Sequence, residues 1–166
     1  MTIYEEFPRS TVLYNLFTLS GVLVLGGLIM SQWGWGALGV YAVVVVVALL
    51  GIFATTCTRC VYYGRRCGLG AGHLVALLFK RRADGRYMST TMQMVYLFLL
   101  MVGLVTPLLV GIMLAVQVPS LGRVLQVVAF LGFALALGVP HPRLVCCHCG
   151  QGACGACPVG KRLQER

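Results

Sequence analysis

Three long stretches of this sequence lack charged residues and consist mainly of leucine, valine, alanine and glycine. The first runs from Arg9 to Arg59 without a single Asp, Glu, Lys or Arg between them. The second runs from Arg86 to Arg123, and the third from Arg123 to Arg143. A helix that crosses a bilayer needs about 20 apolar residues. The first stretch is therefore long enough for two spanning helices, and each of the others is long enough for one.

The lengths of the connecting turns predict how the four spans pair. The predicted spans and the short turns within each pair are residues 11–30, 36–56, 92–116 and 121–139, with turns at 31–35 and 117–120. Short turns join antiparallel neighbours, so we expect an all-α membrane protein made of two helical hairpins. Each hairpin is followed by a cysteine-rich segment, which gives four consecutive parts: residues 1–56, 57–91, 92–140 and 141–166.

The distribution of basic residues predicts the orientation in the membrane. Of the 13 lysines and arginines, only Arg123 falls at the turn ends of the hairpins. The others flank the opposite face: Arg9, Arg59, Arg65, Arg66, Lys80, Arg81, Arg82, Arg86, Arg143, Lys161, Arg162 and Arg166. Basic residues accumulate on the cytoplasmic side of spanning helices. We therefore expect a multi-pass protein of the cell's inner (plasma) membrane with both termini, the middle loop and the tail in the cytoplasm.

Composition supports this interpretation and limits the partners. Hydrophobic residues make up 59% of the chain and charged residues 10%, whereas soluble domains carry about 25% charged residues. The net charge of +9 does not require nucleic acid, because basic residues next to a membrane also attract anionic lipid headgroups. The lipid bilayer is thus the expected partner, and nucleic acid is not.

All eight cysteines fall in the middle loop and the tail: Cys57, Cys60, Cys67, Cys146, Cys147, Cys149, Cys154 and Cys157. Three pairs have Cys-x-x-Cys spacing, which lets two thiolates reach one ion, and the cytosol keeps such thiols reduced. The pattern predicts metal ligation by seven cysteines and one histidine: Cys57, Cys60, Cys67, Cys146, Cys149, Cys154, Cys157 and His148. Cys147 lies between two predicted ligands, and we expect its side chain to point away from them.

The identity of the metal stays open between zinc and an iron–sulfur cluster. Four thiolates, or three with a histidine, form a common zinc site. Only four residues separate Cys149 from Cys154, too few for a self-contained zinc ribbon, so the tail would share ligands with the middle loop. Pro158 follows Cys157 as in iron–sulfur runs, although the full spacing of those runs is not met.

The expected function is an electron-transfer or scaffold subunit of a membrane complex, with a membrane or cytosolic redox protein as partner. The alternatives are a protein that binds or transports soft metal ions (Cu, Zn or Hg) and a dithiol redox enzyme. The chain holds only four Asp and Glu residues and shows no nucleophile–base motif. Independent catalytic activity is therefore not expected.

Three further patterns concern structure. Residues 73–82 place leucines on one helical face and end in basic residues, which predicts a short helix in the headgroup region. Tyr62 and Tyr63, beside Arg65 and Arg66, are interpreted as an aromatic and basic anchor at the membrane interface. Gly132 and Ala136 predict a face for close helix packing.

Overall fold

A computed structural model of the chain describes residues 3–82 and 91–150. Its helices, numbered in chain order, are α1 (Arg9–Trp33), α2 (Trp35–Thr55), α3 (Ala71–Leu78), α4 (Thr91–Gln117), α5 (Leu121–Gly138) and α6 (Pro140–Leu144). Two short 3₁₀ turns, Cys57–Arg59 and Cys146–His148, follow α2 and α6. Four of the helices, α1, α2, α4 and α5, are long and apolar enough to cross a membrane.

The turn of the first hairpin is shorter than predicted. A single residue, Gly34, separates α1 from α2, and its φ of 133° is a conformation that side chains with a Cβ rarely adopt. The Gly34 amide donates to the carbonyl of Ser31 at 3.2 Å and so closes the end of α1. Trp33 and Trp35 are helical residues on either side of this glycine, and both side chains are exposed.

The second hairpin turns at residues 118–120, close to the prediction. The Ser120 hydroxyl accepts from the Arg123 amide at 3.4 Å and caps the start of α5. The Arg123 guanidinium donates to the carbonyls of Leu114 (3.4 Å) and Val118 (3.0 Å). These carbonyls lie at the end of α4, where helices leave acceptors unsatisfied. The one basic residue at the turn end thus has a local role as a helix cap.

The four long helices form a bundle with α1 and α4 at its centre. Each of these two helices packs against the three others, and α2 and α5 flank the central pair. Every long helix contributes to the buried core, which contains Val22, Ile29, Met30, Tyr41, Val45, Val110 and Phe130. Most other apolar side chains of these helices stay exposed, as expected where lipid covers the surface.

Close packing between helices relies on glycines other than the predicted one. The Phe133 ring of α5 lies against Gly21 of α1, and the Tyr96 ring of α4 lies against Gly51 of α2. A Cβ at either glycine would collide with the ring. A Cβ at Gly132, by contrast, would meet nothing within 4 Å in the described part of the chain. The described helices therefore do not pack closely against Gly132.

The beginning of the chain, the middle loop and the start of the tail meet at the end of the bundle opposite the hairpin turns. We call this region, residues 3–9, 56–82 and 140–150, the cysteine end. The Tyr4 amide donates to the His148 carbonyl at 3.2 Å, and the Phe7 amide donates to the Arg66 carbonyl at 3.1 Å. The Gln93 side chain at the start of α4 donates to the Thr55 carbonyl at 2.9 Å.

Candidate metal centre

The first two Cys-x-x-Cys pairs have the same local structure. In residues 57–60 the Cys60 amide donates to the Cys57 carbonyl at 3.2 Å, and in residues 146–149 the Cys149 amide donates to the Cys146 carbonyl at 3.4 Å. Each turn ends on an extended cysteine, Cys60 with φ −75° and ψ 146° and Cys149 with φ −83° and ψ 126°. The chain therefore builds one turn twice, once after each hairpin.

The second residue of each turn is a packing residue. Thr58 in the first turn is 1% exposed and Cys147 in the second is 9% exposed. The Thr58 hydroxyl donates to the carbonyl of Ala54, four residues earlier, at 2.9 Å. Cys147 occupies the position that corresponds to Thr58 and is more buried than the half-exposed Cys146 and Cys149 around it.

Tyr62 joins three separate segments of the cysteine end. Its hydroxyl donates to the Tyr4 carbonyl at 2.8 Å and accepts from the Gly150 amide at 2.9 Å. Its ring is 3% exposed and lies 5.2 Å from the Phe7 ring, centroid to centroid. The interpretation of Tyr62 as a membrane-interface anchor is therefore wrong, because the protein itself surrounds the side chain.

Cysteines from both the loop and the tail surround this tyrosine. Cys60, Cys67 and Cys149 pack against the buried cluster of Phe7, Tyr62 and Val145. Burial raises the pKa of the Tyr62 phenol, the Gly150 amide opposes this shift, and the three nearby cysteines raise the pKa further. The phenol is thus neutral at physiological pH, as its role as a hydrogen-bond donor requires.

The other predicted ligands are distributed around this group. Cys57 lies within electrostatic range of Cys60 and Cys67 and is half-buried. His148 stacks on Tyr4, with ring centroids 4.7 Å apart and an angle of 31° between the planes. Cys154 and Cys157 lie outside the described residues.

The described side chains do not form a closed coordination shell. Across residues 3–82 and 91–150, no three His, Cys, Asp or Glu side chains are grouped so that they could hold one metal ion. Thiols are donors that thiophilic metals prefer, and Cys60, Cys67 and Cys149 pack against one cluster. Direct ligation would require the cysteines around Tyr62 to move closer together.

Asn15 is a second contact between the segments, and sequence reasoning did not assign it a partner. The side chain is fully buried in α1 and its amide donates to the carbonyls of Thr11 (3.0 Å) and Gly68 (2.9 Å). Both amide hydrogens are then used, so the amide oxygen faces His141 Nδ1 at 3.1 Å and this nitrogen is the donor. His141 thus connects the tail to α1.

Some of these contacts have a signal in the sequence. A polar residue in an otherwise apolar span, such as Asn15, usually has a hydrogen-bond partner in the protein. Aromatic residues such as Tyr4, Phe7 and Tyr62 near a spanning helix are instead typical of the membrane interface. Their role in joining the cysteine-rich segments had no signature in spacing or periodicity.

Comparison of the chain with protein-family models, with curated proteins and with solved structures found no match. The arrangement itself defines a bundle of four helices that are long and apolar enough to span a membrane, with a thiol-rich end.

Proposed function

We propose that this protein is an integral membrane metalloprotein whose cysteine end binds a thiophilic metal centre, zinc or an iron–sulfur cluster. The observation that carries the proposal is the arrangement around Tyr62. Cys60 and Cys67 of the loop and Cys149 of the tail pack against one buried cluster. Two of these three cysteines end copies of the same turn.

Thiolates suit this assignment because soft ligands bind zinc, copper(I) and iron–sulfur clusters strongly. Cys57, Cys60, Cys67, Cys146 and Cys149 would supply ligands from the described residues, with His148 as a nitrogen donor beside them. Cys154 and Cys157 complete the proposed set from the sequence. Metal binding to such a set contributes directly to folding free energy, since the ligands come from separate segments.

The spanning helices favour a fixed centre over a transported ion. Transporters of ions and charged substrates place ionisable residues within their helices. In the described spanning helices the charged residues are Arg9 and Arg123, and both lie at helix ends. The proposed role is therefore a scaffold or electron-transfer subunit beside a partner protein. Handling of soft metal ions is the second candidate, and it is favoured by the half-exposure of Cys57, Cys60 and Cys146.

Anaerobic purification followed by elemental analysis and absorption spectroscopy tests the proposal. We expect bound metal to co-purify with the chain. Zinc would leave the visible spectrum featureless, whereas an iron–sulfur cluster would give broad charge-transfer bands that bleach on reduction. A variant with all eight cysteines changed to serine is the control for adventitious metal. Equal metal content in both proteins, or none in either, would contradict the proposal.

We further propose that the cysteine end faces the cytoplasm, as the distribution of basic residues favours. A reporter placed after Trp35 and a reporter at the C-terminus are then expected on opposite sides of the membrane. Alkaline phosphatase fusions should be active only at Trp35, and fluorescent protein fusions should fluoresce at the C-terminus. A fusion after Arg82 is the matched control and should behave like the C-terminal one. Two reporters on the same side would refute the topology.

A further inference from the structure

The short helix α3 exposes an apolar face although its other face is buried in the protein. Gly72 and Val75 pack inward, and Val75 is 0% exposed. Leu74, Leu77 and Leu78 lie on the opposite face and are 47%, 83% and 56% exposed. Their spacing of three and four residues aligns them in one stripe. A soluble surface would not favour three adjacent exposed leucines.

The depth of α3 along the bundle explains this stripe. The backbone at Gly70, immediately before α3, lies against the side chains of Val12 and Leu16 of α1. Val12 is three residues into α1 and Leu16 is seven, which corresponds to roughly 5–10 Å along the helix axis. Leu16 remains 42% exposed on the outside of the bundle. Helices that lie in a membrane interface bury their apolar face about 5–10 Å into the boundary between headgroups and acyl chains, which matches this distance from the start of α1.

A basic segment follows the leucines at a fixed position. The Tyr63 hydroxyl donates to the Phe79 carbonyl at 2.6 Å, and the Arg82 amide donates to the Thr58 carbonyl at 3.1 Å. These bonds hold both ends of the segment that carries Lys80, Arg81 and Arg82. All three basic side chains are exposed. Within residues 3–82 and 91–150, no carboxylate forms an ion pair with them.

We propose that α3 and the basic residues after it form a binding surface for an acidic phospholipid of the surrounding leaflet. The leucine stripe fits the acyl chains, and Lys80, Arg81 and Arg82 fit the anionic headgroup. This occupant follows from the charge of the segment and from its continuity with the lipid-facing side of α1 at Leu16. An acidic soluble protein would use the charges but would leave the leucines at acyl depth without a partner.

Lipid retention measured by native mass spectrometry tests this surface. The intact protein is extracted from bilayers that contain equal amounts of phosphatidylglycerol and phosphatidylcholine. We expect the wild-type chain to retain phosphatidylglycerol preferentially. In the Arg81→Gln/Arg82→Gln variant this preference should fall about 25-fold, because each basic residue near a membrane surface contributes roughly a fivefold effect. Higher ionic strength should weaken the preference in the wild-type protein.

Two controls separate this surface from a general charge effect and from a site for a soluble anion. Arg9→Gln/Arg143→Gln removes the same charge from exposed residues of the cysteine end that do not follow the leucine stripe, and it should weaken the preference severalfold less than the Arg81/Arg82 variant does. Leu77→Gln keeps every charge but should reduce retention of both phospholipids. The proposal is overturned if the Arg81/Arg82 variant keeps the wild-type preference, if the Arg9/Arg143 control loses as much, or if Leu77→Gln has no effect. Because the readout is bound lipid, these results do not depend on whether the cysteines bind metal.

Discussion

Replacing Cys149 with serine is expected to remove most of the metal from the purified protein. Cys149 ends the second Cys-x-x-Cys turn and packs against the cluster around Tyr62. Loss of a residue that only orients a metal ligand lowers metal affinity about 10–100-fold. Loss of a direct ligand should therefore reduce metal retention at least ~tenfold. The variant should also accumulate poorly, since the lost binding energy is also folding energy. Elemental analysis of the purified variant measures the effect.

Cys147→Thr is the matched control for this substitution. Cys147 is buried at the position that corresponds to Thr58, whose hydroxyl donates to the carbonyl four residues earlier. A threonine at position 147 has the equivalent carbonyl, that of Arg143, as an acceptor. We therefore expect Cys147→Thr to keep wild-type metal content and yield. If Cys147→Thr empties the site while Cys149→Ser leaves it loaded, the proposed ligands of the tail are wrong.

Tyr62→Phe is expected to release the tail from the middle loop while the ring packing is kept. The substitution removes the hydroxyl that the half-buried Gly150 amide and Tyr4 carbonyl now share. Loss of the hydrogen bond of a buried polar group destabilises the folded state by about 1–3 kcal/mol. A change of about 1.4 kcal/mol shifts the equilibrium for opening of the tail tenfold. Alkylation of Cys149 by a water-soluble maleimide, located by mass spectrometry, should therefore accelerate roughly tenfold.

Tyr63→Phe provides the comparison, because Tyr63 also donates to a backbone carbonyl but only within the loop, to Phe79. This variant should loosen the end of α3 and leave the alkylation rate of Cys149 unchanged. Equal rates for Cys149 in the wild-type and Tyr62→Phe proteins would show that the Tyr62 hydroxyl does not hold the tail. Equal acceleration in both variants would show that the loop as a whole, and not the bridge, protects the thiol.

Tyr62 and Asn15 belong to the part of the candidate site that could not be predicted from the sequence. The sequence identified the cysteine pairs and placed them at one end of the bundle, because their spacing and the charge pattern are local properties. It did not identify the residues that join the loop to the tail, since a hydrogen bond between Tyr62 and Gly150 spans 88 positions. The predicted ligands Cys154 and Cys157 lie outside the described residues and stay predictions.

Contacts between residues far apart in the sequence also decide which glycines allow close helix packing. Gly132 was expected to mediate packing, whereas Gly21 and Gly51 accommodate aromatic rings. In a spanning helix, both the lipid and the neighbouring helices are apolar, so hydrophobic periodicity does not distinguish the buried face. In α2, for example, Val45 is 7% exposed and Val46 is 53% exposed. Only the tertiary structure shows which valine faces the core.

By itself, the sequence determined the number of long helices, their pairing into hairpins and the common location of the cysteines that the structure describes. These features follow from the length of the apolar stretches, the length of the turns and the positions of the charged residues. Apolar length and charge position strongly affect the free energy of a helix in a bilayer. The tertiary structure decided that α1 and α4 form the centre, that Tyr62 lies among cysteines of both segments, and that the start of α3 lies against Val12 and Leu16. These features depend on side-chain shape and on hydrogen bonds between distant segments, which no local pattern of residues encodes.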